Sequence, residues 1–232
     1  MLHGLLHGFL PSILDGAAIT IAVAISSLVI ALAFGLAGAA AKLSKSRWLV
    51  MVATVYTTVI RGVPDLVLML LIFYGGQSLV NTIAPKFGYE DFIDVNPFVA
   101  GVITIGFIFG AYLTETFRGA ILAIPAGQRE AGMAYGMSKA QAFRRIVLPQ
   151  MVRLAIPGFS NNWLVLVKAT ALVSVIGLSD MMQRAGLAAG ATREPFTFYA
   201  AVALLYLLIT TLSIILLKAL EKRYSLGVKV AS

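Results

Sequence analysis

Residues 13–41 read ILDGAAITIAVAISSLVIALAFGLAGAAA, and no charged residue follows Asp15 within this stretch. A helix needs about 20 apolar residues to cross the hydrocarbon core of a bilayer, so the segment is long enough to span a membrane. Four more long apolar segments follow, at residues 63–83, 97–117, 154–178 and 196–217. The sequence therefore predicts an all-α fold, a polytopic helical membrane protein with about five transmembrane helices in a single transmembrane domain over residues 1–232.

Composition supports this class of protein. Hydrophobic residues make up 59% of the 232 residues and charged residues 12%, against about 25% charged in soluble domains. The apolar runs are continuous and do not alternate with polar residues, which excludes a transmembrane β-barrel. The chain contains no cysteine, which excludes disulfides and thiolate metal sites.

Lysine and arginine are distributed unevenly between the two sides of the predicted bundle. Thirteen of them lie in residues 42–47, residues 118–153 and the tail after residue 217, whereas Lys86, Arg184 and Arg193 lie in the remaining loops. Because cytoplasmic loops carry the excess of basic residues, we expect an N-terminus outside the cytoplasm, a cytoplasmic C-terminus and a cytoplasmic 118–153 loop. This topology accounts for the net charge of +8, so no nucleic-acid partner is expected.

A shorter apolar stretch, residues 48–60, cannot cross a bilayer by itself. Arg61, Gly62, Pro64 and Asp65 separate it from the next apolar segment. Proline and glycine break or kink a helix, so two interpretations stay open: a helix at or near the cytoplasmic surface, or the first half of one long kinked helix. Arg61, Pro64 and Asp65 are the candidate helix break and gate.

Glu115 and Lys168 are ionisable residues within or at the edge of apolar segments. Ionisable groups in a membrane are costly and mark functional sites by default. Lys168 lies near the middle of its segment, from where its side chain reaches an interface poorly. Asn161, seven residues earlier, shares its helix face.

One interpretation of these polar residues is a substrate pathway between the third and fourth long segments. Its lining would comprise Glu115, Asn161, Asn162, Lys168 and Thr170. The alternative is that these groups tie helices together, through hydrogen bonds worth about 0.6 kcal/mol on average. A Gly106–Gly110 step in the third segment also permits two helices to approach closely.

The polar stretch 125–149 predicts a helix–turn–helix elbow. Residues 128–135 are compatible with a helix, and Gly136 can stop it in the left-handed conformation. Ser138 is suited to cap a second helix over residues 140–148, which Pro149 would end. Because the first arm is rich in small residues, few side chains protrude from its surface, and the arm fits a groove on another protein. The alternative is a structured cytoplasmic loop without a partner.

The spacing of the elbow residues resembles the coupling loop, or EAA loop, of bacterial ABC importer permeases. The matching residues are Glu130-Ala131-Gly132, Gly136, Ile146 and Leu148-Pro149, with Tyr135 inside the same frame. Gly132 replaces the usual second alanine, which weakens the helix by about 1 kcal/mol. Four further stretches are similar to the polar amino-acid permease family: RGVPD at 61–65, ETFRG at 115–119, KATALVS at 168–174 and EKRYSLG at 221–227.

The resemblance implies a five-span permease subunit of an ATP-driven importer in the bacterial inner membrane, with amino acids as substrate and basic ones (histidine, arginine, lysine, ornithine) favoured. It implies as partners a second permease subunit, two ATPase subunits docked on the coupling loops, a periplasmic amino-acid-binding protein and membrane lipid. The sequence has no G-x-x-x-x-G-K phosphate loop. ATP and Mg are therefore expected on the ATPase subunits, with no cofactor and no catalytic role in this chain.

Ala169, Ala171 and Asn162 depart from many members of that family, which carry Lys-Asp-Thr-Ser-Leu at 168–172 and an acid at 162. A cationic substrate in a low-dielectric pocket needs an acidic partner, so the second permease subunit is expected to supply the main carboxylate, which favours a heterodimer. The competing function is a secondary transporter or channel subunit. An intramembrane enzyme is remote, since neither H-E-x-x-H nor G-x-S-x-G occurs.

Overall fold

The computed structural model describes residues 6–225, and this part of the chain is helical without any strand. Its α-helices are α1 (Leu10–Lys42), α2 (Arg47–Gly62), α3 (Asp65–Ile83), α4 (Pro97–Leu122), α5 (Ala126–Ala134), α6 (Lys139–Ala142), α7 (Leu148–Ala169), α8 (Met181–Thr192) and α9 (Pro195–Ser225). Five helical segments are long and apolar enough to cross a membrane: Leu10–Lys42, Asp65–Phe87, Pro97–Leu122, Lys139–Ile176 and Pro195–Tyr224. The predicted fold class is confirmed.

Helix α4 is the centre of the bundle and packs against α1, α2, α3 and α7. Its side chains Ile105, Ile108, Phe109 and Leu113 are almost completely buried. Because interhelical contact in lipid rests on close van der Waals packing, the helix with the most buried face organises the others around it.

The contact between α1 and α4 depends on glycine. A Cβ atom added at Gly110 would lie 2.5 Å from the Cβ atom of Phe34, and one added at Gly106 would lie 2.6 Å from the Cβ atom of Ile30. Real Cβ atoms do not approach so closely, so only glycine lets the two backbones reach this separation. The Gly106–Gly110 step therefore has the packing role that its spacing predicts.

The break between α2 and α3 is an extended linker. Val63 and Pro64 have ψ angles of 139° and 136°, and α3 begins at Asp65. Proline disfavours the helical conformation in the residue before it, so α2 cannot continue through Val63. The interpretation of α2 and α3 as one long kinked helix is therefore wrong, because two extended residues separate them.

The region 179–195, expected to be a loop, contains helix α8. It packs against α1 and α9 and contributes to a second hydrophobic cluster: Ile13, Ala17, Met181, Ala185, Ala188, Ala189, Phe198 and Val202. A Cβ atom at Gly16 would lie 2.8 Å from the Met181 backbone, so α1 and α8 also cross at close range. The helix was missed because its alanines and glycines form no apolar run of spanning length.

The region 118–153, predicted as a loop that holds the helix–turn–helix elbow, is also helical on both sides of the elbow. Helix α4 continues to Leu122, and a π-helical turn, Phe143–Val147, joins α6 to α7. Pro149 lies in the first turn of α7, where proline is tolerated because helix N-termini carry unpaired N–H groups. The expectation that Pro149 ends the second arm is therefore wrong.

Asp180 caps the N-terminus of α8 from a buried position. Its Oδ1 atom accepts a hydrogen bond from the Gln183 backbone N–H at 2.9 Å, while Oδ2 has no partner among the described residues. Removal from water disfavours the charged form, and burial raises the pKa of Asp180 from 3.8 to about 6. The folded protein therefore binds a proton here more tightly than the unfolded chain does.

We expect this carboxyl group to make the protein less stable as the pH rises. The contribution of this carboxyl group to the free energy of unfolding is fully present below pH 3.8 and is lost as the pH rises through about 6. The free energy of unfolding falls by about 3 kcal/mol over this range. Asp180→Asn keeps the cap but cannot titrate. Thermal unfolding at pH 4 and pH 7 should show a larger loss of stability in the wild type than in this variant. An identical pH dependence in both proteins would rule out the assignment.

Candidate functional site

The first arm of the elbow is α5, and Gly136 ends it. Gly136 has φ +84°, a conformation that glycine adopts readily. The Gly136 N–H donates to the Met133 carbonyl at 3.0 Å, and the Met137 N–H donates to the Gly132 carbonyl at 3.1 Å. These bonds satisfy carbonyl groups at the helix end, so the predicted stop at Gly136 is confirmed.

Ser138 caps the second arm, as its position predicts. Its Oγ atom accepts a hydrogen bond from the Gln141 backbone N–H at 3.3 Å, and the Gln141 side chain accepts one from the Ser138 N–H at 2.9 Å. This reciprocal pair is a capping box. The stop and the capping box both lie within residues 136–141, so local hydrogen bonds fix the backbone between the two arms.

The residues of the coupling-loop frame divide into an outward and an inward set. Glu130 and Ala131 are exposed on α5, and Tyr135, directly after the helix, is 91% exposed. Gly132 is buried, and a Cβ atom there would lie 2.5 Å from the Cδ1 atom of Ile146. The departure at Gly132 thus lets Ile146 pack directly on the α5 backbone.

The inward set attaches the elbow to the base of α7. Ile146 and Leu148 are half-buried and precede or begin that helix. The Gln150 amide donates to the Gln128 side chain at 2.6 Å, which links α7 back to α5. These contacts join the first arm of the elbow to α7, the helix that carries Asn161 and Lys168.

Glu115 lies in a charge cluster at the end of α1. It forms an ion pair with Lys42 of α1, and its other oxygen lies 3.4 Å from Arg118. The Lys42 side chain is only 10% exposed. Glu115 was predicted to line the pathway, but the structure places it in a tie between α1 and α4. Lys42 was missed because a lysine at the end of an apolar run is usually solvated.

Asn162 and Thr170 also form hydrogen bonds within the bundle. The Asn162 amide donates to the Thr116 hydroxyl of α4 at 2.9 Å. Thr170 is completely buried, donates to the Val167 carbonyl at 2.7 Å and lies 3.4 Å from the Tyr206 hydroxyl of α9. The alternative interpretation, that polar groups tie helices together, therefore describes these two residues better than a place on the pathway.

Asn161 and Lys168 lie on an open face of α7. The exposed residues of this face recur at heptad spacing and form what we call the α7 stripe: Leu154, Pro157, Asn161, Val165 and Lys168. Lys168 also borders a cavity of about 540 Å³ between the end of α7, α8 and α9, with Tyr199, Tyr206 and Thr210 in its wall. The structure therefore brings together two of the five predicted pathway residues.

The predicted gate residues flank the linker between α2 and α3. The Arg61 guanidinium lies over the Tyr112 ring of α4, 5.6 Å from its centre, a favourable cation–π arrangement. Pro64 is part of the linker, and Asp65 begins α3 half-buried. In residues 6–225 no group of three or more potential metal ligands is assembled.

Comparison with known proteins gives a consistent set of relatives. The model of the family described as binding-protein-dependent transport system inner membrane component matches residues 30–226. The histidine/lysine/arginine/ornithine transport system permease of Salmonella typhimurium is 53% identical over 98% of this chain and 99% of the relative. The octopine transport system permease of Rhizobium radiobacter is 44% identical over 93% and 91%. The arginine ABC transporter permease of Escherichia coli is 38% identical over 90% and 93%.

Solved structures show the same architecture. A chain from the crystal structure of an amino acid ABC transporter with histidines superposes with a TM-score of 0.79 at 32% identity, over 93% of this chain and 95% of that one. A chain of the MetNI methionine ABC transporter in inward-facing conformations superposes with a TM-score of 0.70 at 17% identity, over 94% and 96%. The second likeness shows a shared fold.

Proposed function

The chain belongs to the family of binding-protein-dependent transport system inner membrane components, and on that premise we propose that it forms half of the translocation pathway of an ATP-driven importer for basic amino acids. Its relatives are amino-acid ABC permeases, so the protein is a non-catalytic membrane subunit of such a transporter. This membership contradicts the competing interpretation as a secondary transporter or channel subunit.

The coupling role rests on one observation, the exposed face of α5. Glu130, Ala131 and Tyr135 point away from the protein, whereas Gly132, Ile146 and Leu148 hold the elbow on α7. An ordered helix that exposes small residues and an aromatic residue is suited to a groove on a partner. We assign that partner as a cytoplasmic ATPase, with two ATPase subunits per transporter and with ATP and Mg bound there.

The α7 stripe supports a second permease subunit as partner. Asn161 and Lys168 interrupt an otherwise apolar face, and a lysine inside a membrane helix normally faces a bundle interior or a water-filled cavity. Packing this face against a second permease would remove both side chains from lipid and place them on a pathway between the subunits. Asn161 and Lys168 are thus the pathway residues that the geometry favours.

The substrate class is proposed from the relatives and from charge. The permeases with 53% and 38% identity serve a histidine/lysine/arginine/ornithine system and an arginine system. A cationic substrate needs a carboxylate in a low-dielectric site, yet Glu115 is already paired with Lys42 and Arg118. This supports a heterodimer in which the other permease supplies the principal acid.

Orientation follows from the basic residues. The protein is an inner-membrane component, and we place the N-terminus and α8 on the periplasmic side and the elbow and C-terminus in the cytoplasm. Lys45 of the α1–α2 turn, Arg47 at the start of α2, and Arg144 and Arg145 of the elbow then share the cytoplasmic side, as the positive-inside tendency requires. A periplasmic amino-acid-binding protein delivers the substrate from the opposite side.

Transport by the complete complex tests the proposal. The chain is co-purified with its second permease and ATPase and reconstituted in proteoliposomes with the binding protein and labelled arginine or histidine. We expect uptake that requires ATP and is abolished when the ATPase is omitted. Uptake driven by a proton gradient without ATP would overturn the proposal.

Labelling of single cysteines tests the α7 stripe, and the chain offers a background without cysteine. A thiol reacts as the thiolate, which does not form in hydrocarbon. Asn161→Cys in the assembled transporter should therefore react with a water-soluble maleimide at least about tenfold faster than Val29→Cys, which is exposed on α1. Equal labelling rates at the two positions would show that Asn161 does not face an aqueous pathway.

A further inference from the structure

A groove of about 460 Å³ lies at the turn between α1 and α2, separate from the elbow and from the α7 stripe. The end of the groove at the turn is polar, and the end along α2 is mostly apolar. The lining residues are Ser44, Lys45, Arg47, Val50, Met51, Thr54 and Val55. The groove combines features that an amphiphilic ligand would need, namely cations at one end and hydrocarbon at the other.

The cationic end is formed by two side chains without a counter-ion in the described part of the chain. Lys45 and Arg47 are exposed, and neither takes part in an ion pair within residues 6–225. Helix α1, long enough to span the membrane, ends at Lys42. The turn therefore follows the end of a membrane-spanning helix, where unpaired lysine and arginine attract the phosphate of lipid headgroups.

The apolar end continues along α2. Val50 is half-buried, whereas Met51 and Val55 are exposed. Trp48, beside the two cations, is 72% exposed, and tryptophan is enriched at the membrane–water interface. A free phosphate ion would leave this apolar surface in water, whereas a phospholipid covers it with an acyl chain.

We propose that the groove binds one anionic phospholipid of the cytoplasmic leaflet. The headgroup phosphate lies between Lys45 and Arg47, and an acyl chain follows Val50, Met51 and Val55. Guanidinium and ammonium groups both bind phosphate, arginine through two parallel hydrogen bonds and lysine as a point charge. The assignment to this leaflet rests on the proposed orientation, but it does not depend on the coupling or transport role.

Photocrosslinking of lipid to the complete transporter tests the site. The complex is placed in phosphatidylcholine nanodiscs that contain a photoactivatable phosphatidylglycerol, and adducts on residues 44–55 are quantified by mass spectrometry. Each basic residue contributes about 1 kcal/mol to anionic-lipid attraction, so Lys45→Gln with Arg47→Gln should reduce these adducts roughly 10- to 30-fold. The matched control, Arg144→Gln with Arg145→Gln, removes the same charge from the elbow and should leave them unchanged.

Further control experiments distinguish a bound anionic phospholipid from other ligands of the groove. Excess unlabelled phosphatidylglycerol should displace the probe, whereas inorganic phosphate should not. The proposal is overturned if a photoactivatable phosphatidylcholine labels residues 44–55 equally well or if the Lys45 and Arg47 variant retains full labelling. ATP-dependent uptake is measured on the same samples, so that loss of the lipid site and loss of the transport function are distinguished.

Discussion

Gly136→Arg should abolish the ATP hydrolysis that substrate-loaded binding protein stimulates, while the permease remains in the membrane. Gly136 adopts φ +84° with no neighbouring atom within 4 Å of an added Cβ atom. Space is therefore available, and the effect comes from the backbone: a left-handed conformation costs an L residue about 1–2 kcal/mol. Arginine relieves this strain by changing the angle between the two arms of the elbow.

Asparagine is the matched control because it tolerates the left-handed conformation better than most residues. Gly136→Asn should therefore retain more stimulated activity than Gly136→Arg at an equal amount of protein in the membrane. Glu130→Lys tests the exposed face separately, since it reverses an exposed charge without altering the elbow backbone. Normal stimulation in Gly136→Arg or in Glu130→Lys would exclude the coupling role of the altered residue.

Gly110→Leu should prevent stable folding of the bundle. The Cβ atom would meet the Phe34 Cβ atom at 2.5 Å and the Tyr56 hydroxyl at 2.8 Å, which also disturbs the 2.5 Å hydrogen bond from Tyr56 to the Phe107 carbonyl. Overpacking of a core typically costs 1–3 kcal/mol, and contact at the first side-chain atom leaves little freedom to relax. We expect a loss of about 3 kcal/mol or more, seen as depleted protein in the membrane and a lowered Tm.

Gly119→Leu is the control on the same helix. Gly119 is exposed on α4, and an added Cβ atom would meet no atom within 4 Å. The Gly119→Leu substitution introduces the same leucine side chain into α4. Leucine has a higher helix propensity than glycine, so the substitution itself favours the helix. Equal levels of folded protein for the two variants would show that the contact between α1 and α4 does not depend on glycine.

The features that the sequence predicts correctly are those set by local chemistry. Long apolar runs must be helical in a bilayer because every backbone polar group needs a partner, and five such segments are present. The stop at Gly136 and the cap at Ser138 likewise depend on residues only a few positions apart. Helix α8 escaped prediction because it is short and rich in small residues, and its apolar side buries against α1 and α9.

The site was only partly predictable because side-chain partners depend on how distant helices cross. A helical stripe places Glu115 on one face of α4, but no spacing reveals that Lys42, 73 positions earlier, reaches it. Asn161 and Asn162 are adjacent in sequence, yet one is exposed and the other bonds to Thr116. Which of two neighbouring polar residues faces a pathway is decided by the rotation of α7 against α4.

Crosslinking from the exposed end of α5 tests the central claim most directly. Tyr135 is the most exposed large hydrophobic side chain of the elbow, and the absence of native cysteine makes Tyr135→Cys a unique attachment point in this chain. A short reagent that reacts with this thiol at one end and carries a photoactivatable group at the other should capture the ATPase subunit in native membranes, and a reagent that cannot cross the membrane should not label this cysteine in intact cells. Capture of no ATPase, or labelling from outside the cell, would contradict the account.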